Sequence, residues 1–322
     1  MPETTWIESA EVQEAIVRLG PVLIELARSE HPQLAEMAGY LAARGGKRIR
    51  PALLFVAHGP GCTAPKVLRA AASVELIHLA SLYHDDIIDR GQIRRGAASA
   101  NAKWGNRAAM LTGTFLFLRA QVLTEALGHE VRSLAATAAA ELCLGQLRES
   151  ENAYNAELTA QVHLDVLALK TGSLFRLALQ IGALLGGAGA QAQALVDYGQ
   201  HLGLAFQLSD DLLDISDDAA ATGKDTLADI RAGVYSLPWL LALRGEPAPA
   251  NALKHLFAQH SLSAADATKA FEILRSTDAI PKARDRLAAE ISQCLEVLGP
   301  IQDAAARNSL ATLAGSMATR TR

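Results

Sequence analysis

Apolar residues return every three to four positions almost from one end of this chain to the other, and no stretch alternates as a half-buried strand would. That period limits the fold to packed helices. It predicts helices over about 9–28, 33–43, 48–58, 65–90, 106–127, 130–154, 158–186, 191–218, 235–244, 250–259, 263–275, 279–297 and 300–318. Gly45-Gly46, Gly59-Pro60-Gly61, Gly91, Gly96, Gly186-Gly187, Gly223 and Gly299-Pro300 punctuate them. Half of the 322 residues are hydrophobic and 5% aromatic, with Ala and Leu dominant, which supplies a sizeable helical core. No Ser- or Pro-rich linker divides the chain, so residues 1–322 read as one all-α domain.

The same composition excludes several functions. A net charge of −4 offers no field for nucleic acid or an anionic membrane. Cys62, Cys143 and Cys294 lack metal-ligand spacing and read as small core residues of a protein in a reducing cytoplasm. No N-terminal signal pattern appears. The longest apolar run, near Leu177 to Ala190, is broken by Gln180 and rich in Gly, so it reads as a buried helix rather than a transmembrane segment.

Against this apolar background two acidic copies stand out: Asp85-Asp86-Ile87-Ile88-Asp89 and Asp210-Asp211-Leu212-Leu213-Asp214, 125 positions apart. On a helix the first and last aspartates of a copy lie one turn apart on one face. Charge clusters are usually solvated helix faces. Here Leu79, Leu82, Ile87 and Ile88, and Leu204, Phe206, Leu212 and Leu213, make the surroundings apolar. The first copy also precedes Arg90-Gly91, where a helix ends, and anions in a last turn oppose the helix dipole at roughly 0.3–1 kcal/mol each. Two such helices facing each other would aim six carboxylates into one gap, which requires cations. Mg2+ carrying a phosphate-rich substrate meets that requirement.

Basic residues answer the acids. Gly45-Gly46-Lys47-Arg48-Ile49-Arg50-Pro51 joins a double glycine to three cations, and Arg94-Arg95-Gly96 follows Asp89 closely. Lys170-Thr171 lies in the apolar stretch Val166 to Leu179, where a lysine requires an anion. Gly223-Lys224 follows the second acidic copy. Four basic sites around two acidic ones suit a diphosphate better than a monophosphate.

Taken in order, these motifs resemble the trans-isoprenyl (polyprenyl) diphosphate synthases over about residues 40 to 245. The likeness also takes in Glu75-Leu76-Ile77-His78, Trp104-Gly105-Asn106, Gly145-Gln146, Phe206-Gln207-Leu208-Ser209 and Leu237-Pro238. It implies a bundle of long helices around a deep apolar cavity, in a homodimer. It further implies that Lys47, Arg50, His78 and Arg95 hold the diphosphate of isopentenyl diphosphate. Asp85, Asp89 and Asp210 would bind Mg2+ bridging to the allylic diphosphate, with Asp86, Asp211 and Asp214 as ligands or supports of ligands. Arg94, Lys170, Thr171, Gln207 and Lys224 would contact that same allylic diphosphate. Gln207, Asp210, Asp211 and Asp214 share one helical stripe, which agrees. His78 has a plainer alternative, a core histidine with a local hydrogen bond.

The reaction implied is ionisation of the allylic diphosphate, with metal and cationic side chains neutralising the leaving group. The double bond of isopentenyl diphosphate then attacks, and a proton leaves, with the released diphosphate as base. A carbocation demands a dry cavity. In the family, bulky residues at the positions of Ala80 and Ser81 close the pocket early. Small ones here, with Ala135 to Ala140 deeper, predict a long product of about six or more isoprene units at one unit per helical turn. Thr114 stands where the family has an aspartate, Val234 replaces a lysine, and Asp225 and Leu227 replace Pro and Gly. Two other readings remain: a terpene cyclase on this scaffold, or a non-catalytic subunit of a heteromeric synthase.

Overall fold

The computed structural model describes residues 5–215, 227–259 and 262–319. Three quarters of the described residues are helical, and the only strands among them form one short hairpin. These residues form two compact units interleaved in sequence: the described parts of 1–140, 174–196 and 300–310 in the first, and of 141–173, 197–299 and 311–322 in the second.

The first unit begins with α1 (Ala10–Leu26), α2 (Pro32–Ala43), α3 (Ile49–His58) and α4 (Pro65–Ile88). A short hairpin pairs β1 (Ile93–Arg94) with β2 (Ala97–Ala98), followed by α5 (Ala100–Trp104) and α6 (Asn106–Glu125). Ser9 caps α1 by accepting from the Val12 amide at 3.4 Å, and Pro65 opens α4 at a position with no amide to satisfy. Leu76, Ile77 and Leu79 are fully buried on α4, which packs most extensively on α6 and also on α1 and α3. A helix apolar on most faces belongs in the centre of its layer.

α7 (His129–Glu151) precedes α8 (Ala160–Leu167), which passes through a π turn (Ala168–Gly172) into α9 (Ser173–Gly186). The continuous segment Ala160–Gly186, with mean hydropathy 1.2, is long and apolar enough to cross a membrane, yet 72% of its most apolar window is buried. Its glycines also have a packing purpose. Gly182 and Gly186 lie against the backbone of Leu54 and His58, so α9 approaches α3 closely where it lacks side chains of its own.

In the second unit α10 (Ala192–Asp214) carries the second acidic copy. Behind it come α11 (Ala228–Arg231), α12 (Leu237–Ala242), α13 (Pro247–Phe257), α14 (Ala264–Arg275) and α15 (Ala279–Glu296), before α16 (Ala304–Ser316). Their core is aromatic and aliphatic: Tyr235 stacks on Phe257 at 4.4 Å, Trp239 meets the same ring edge-on at 5.9 Å, and Leu240, Leu253 and Leu274 fill around them. Cys62 and Cys294 are buried, and burial pushes their thiols up to about 11 and about 12, so both act as packing groups. Cys143 departs from the expectation of a core residue, because its face of α7 is exposed.

Candidate active site

The last turn of α4 carries the first acidic copy, and the helix closes at Ile88 with Asp89 as its cap. Asp85 and Asp89 lie one turn apart. Asp86 points elsewhere. It is 0% exposed, and its Oδ1 accepts from Arg94 Nε at 2.9 Å and Nη2 at 2.5 Å. Asp86 Oδ2 is buried with no hydrogen-bond partner, while its backbone carbonyl accepts from Asn101 Nδ2 at 3.0 Å. Asp86 thus fastens the hairpin to the helix end through Nε and Nη2 of Arg94. Ile88, one of the apolar residues around the first copy, is half exposed.

The basic loop closes over the same unit. Arg95 and Gly96 form the hairpin turn with φ of 51° and 71°. An arginine at positive φ is strained, but its Nη1 donates to the carbonyls of Leu41, at 2.8 Å, and Gly45. The guanidinium then lies against Gly46, at φ 132°, where a Cβ would stand 2.8 Å from Nη2. Gly46 thus combines a positive φ with close approach of the Arg95 guanidinium. Arg48, at φ 48°, donates to Ala42 O at 2.8 Å and pairs with buried Glu75. Arg50 stacks its guanidinium 4.9 Å over Phe175, and Lys47 is exposed on the same loop.

His78 reports how tightly these charges gather. Burial, and then the charges of Arg50, Arg95, Arg48 and Arg94, hold its imidazole well below the ordinary histidine range. The first turn of α3 contains Arg50 and no acid, although a helix N-terminus disfavours cations. Positive charge concentrated against the local dipole is an arrangement that an anion relieves. Further along α4, Ala80 is fully buried, and Ser81 is buried with its hydroxyl donating to His78 O at 2.8 Å. Ser81 thus satisfies its polar atom within its own helix.

In the second unit Lys170 and Thr171 occupy the π turn, a distortion common at functional sites. Two glycines grip that turn: a Cβ on Gly145 would stand 2.6 Å from Lys170 N, and one on Gly203 2.6 Å from Gly172 Cα. The anion that Lys170 requires is supplied by the protein, since Nζ donates to Glu149 Oε2 at 2.5 Å. Thr171 Oγ1 donates to Gln207 Oε1 at 3.1 Å, and Gln207 Nε2 donates to Asp211 Oδ1 at 3.3 Å. His163 Nε2 lies 3.4 Å from Asp211 Oδ2. Asp210 and Asp214 remain one turn apart on α10, with Gln207 and Asp211 on the same stripe. Lys224 lies outside the described residues.

Sequence reasoning missed Glu75, Glu149 and His163. Glu149 follows Gln146 by one turn, and His163 precedes Lys170 by two turns on nearly the same face, so helical spacing contained both signals.

The donors fit a hard divalent cation of small radius. Among the described residues no three His, Cys, Asp or Glu side chains form a ready metal cage. Mg2+ does not need one: it takes one or two carboxylates and completes its octahedron with phosphate oxygens and water. Carboxylates at one-turn spacing on α4 and again on α10 are donors of that kind.

The polyprenyl synthetase family profile matches residues 31–274. The nonaprenyl diphosphate synthase of Mycobacterium tuberculosis is 35% identical over 308 residues, which is 95% of this chain and 92% of that one. The crystal structure of a decaprenyl diphosphate synthase from Rhodobacter capsulatus superposes with a TM-score of 0.90 at 32% identity, covering 97% of this chain and 98% of that one. A polyprenyl synthase from Caulobacter crescentus, complexed with calcium and isoprenyl diphosphate, gives 0.89 at 30% identity over 97% and 96%. With its motifs in order and its helices in place, the chain belongs to the polyprenyl synthetase family.

Proposed function

We propose that this prenyltransferase condenses isopentenyl diphosphate with an allylic diphosphate and releases a long-chain polyprenyl diphosphate. The observation that carries the reading is Arg50 set in the first turn of α3 against the helix dipole, with Arg95 and His78 nearby, an arrangement that suits a multiply charged anion. Lys47, Arg50, His78 and Arg95 hold the diphosphate of isopentenyl diphosphate. Asp85, Asp89, Asp210 and Asp214 act as carboxylate ligands, and bound Mg2+ supplies electrostatic relief for the departing diphosphate. Lys170, Thr171, Gln207, Arg94 and Lys224 orient the allylic diphosphate, while Asp86 and Asp211 hold neighbouring side chains in place. Ala80 and Ser81 leave room for the growing chain. A terpene cyclase would leave this arrangement without a ligand.

The reading treats residues 1–322 as one catalytic domain acting as a cytoplasmic homodimer. An exposed apolar stripe on α6, made by Met110, Leu111, Leu118 and Val122, supports self-association. The test is incubation of purified protein with Mg2+, isopentenyl diphosphate and farnesyl diphosphate, followed by sizing of the products. Prenyl chains longer than the primer are expected. A hydrocarbon or alcohol indicates the cyclase, and no product indicates a non-catalytic subunit.

A further inference from the structure

Asp211 lies between two metal-ligand candidates in sequence, yet both its oxygens face protein donors. Oδ1 accepts from Gln207 and Oδ2 from His163, and the side chain is only 11% exposed. A carboxylate has acceptors only, so the His163 tautomer that fits carries its proton on Nε2. Through Gln207 the chain of hydrogen bonds reaches the hydroxyl of Thr171, beside Lys170. The links run from α8 to α10 and back to the π turn, which begins one residue after α8 ends.

We propose that His163 is a positioning residue: by donating to Asp211 it closes a His163–Asp211–Gln207–Thr171 ring that holds the π turn in register with Asp210 and Asp214. The inference rests on the diphosphate-binding reading above. Two features of the site require such a brace. A π turn widens the helix and loosens its own hydrogen-bond ladder, so the placement of Lys170 depends on outside contacts. Gly145 and Gly203 let the neighbouring helices approach but contribute no polar atom that fixes rotation. The two bonds to Asp211, at 3.3 and 3.4 Å, are long for N–H···O bonds. His163 itself is nearly buried and touches neither acidic pair directly, so it acts only through Asp211.

The test measures binding of Mg2+ with inorganic diphosphate to the full chain by calorimetry and by the shift in melting temperature, alongside steady-state kinetics. His163→Phe is expected to weaken this binding about tenfold, the usual loss when a residue supporting a ligand group is removed. The KM for the allylic diphosphate rises with it, and the KM for isopentenyl diphosphate stays as in the parent. His163→Gln retains an N–H donor and recovers most of the affinity. A Phe variant that binds like the parent overturns the proposal, and so does a Gln variant as impaired as Phe, which would mean that the ring acts by packing alone. Should His163→Phe fail to fold, His163→Ala decides by the same binding criterion. A parent protein that ignores Mg2+ and diphosphate defeats the functional reading, whereas a binding parent with indifferent variants defeats only this inference.

Discussion

Asp86 is fully buried and its carboxylate answers Arg94, so its removal strands a cation at the end of α4. Breaking a buried pair costs about 3–5 kcal/mol, and the 34% exposure of Arg94 lowers this to about 2–3 kcal/mol for Asp86→Ala. Urea unfolding measures it, and a loss under about 1 kcal/mol contradicts the structural role. Asp85→Ala, by contrast, should leave stability nearly intact while abolishing Mg2+-dependent turnover. His78 makes a pH prediction. Its folded pKa lies below the ordinary 6.5, so between the two values the unfolded chain binds the extra proton. Its contribution to stability is therefore complete above about pH 6.5 and is lost as the pH falls toward the folded value. The urea midpoint should drop between neutral and acid pH more steeply in the parent than in His78→Gln, and parallel profiles refute the assignment. Ser81, small and internally hydrogen-bonded, makes a third prediction: Ser81→Phe shortens the product, read by chromatography of the hydrolysed prenols. An unchanged length removes Ser81 from the pocket wall.

At the scale of elements, close contact between α7, the π turn and α10 depends on missing side chains. Gly145→Ala or Gly203→Ala puts a methyl group 2.6 Å from backbone, an overpacking worth about 1–3 kcal/mol in lost stability. Gly20→Ala on α1 meets nothing within 4 Å and should stabilise by about 0.5–1 kcal/mol. Melting temperatures that move in opposite directions support this view of the glycines, and a common direction refutes it. The long helices were legible because their apolar period persists over several turns: 65–90 was expected against Pro65–Ile88, and 279–297 against Ala279–Glu296. The hairpin at Ile93–Ala98 was not, since its turn needs positive φ at Arg95, which tertiary bonds to Leu41 and Gly45 impose. The π turn was equally hidden, because periodicity cannot distinguish one inserted residue from an ordinary helix. The same limit applies in the site. Motif order identified the cations and acids, but which of them Glu75, Glu149 and His163 pair with became apparent only when helices lay side by side.

For the whole molecule, the stripe on α6 demands a partner more than any other described face of that helix. Met110, Leu111, Leu118 and Val122 are each at least half exposed and the last three recur at helical spacing, while Thr114 between them is uncharged and donates its hydroxyl back to Met110 O at 3.1 Å. A monomer seldom leaves an apolar stripe of that regularity in water. Two copies related by a two-fold axis would cover it with itself, since an isologous contact sets the same residues opposite each other. The full chain should then sediment near twice 34.1 kDa. Leu118→Glu with Val122→Glu places four carboxylates in that contact, two per copy, where desolvation and mutual repulsion outweigh the burial they replace. Sedimentation at the single-chain mass, with helix content and melting of the isolated chain preserved, is the expected outcome. A dimer that survives both substitutions puts the interface elsewhere, and a parent already monomeric at micromolar concentration rules out self-association through α6.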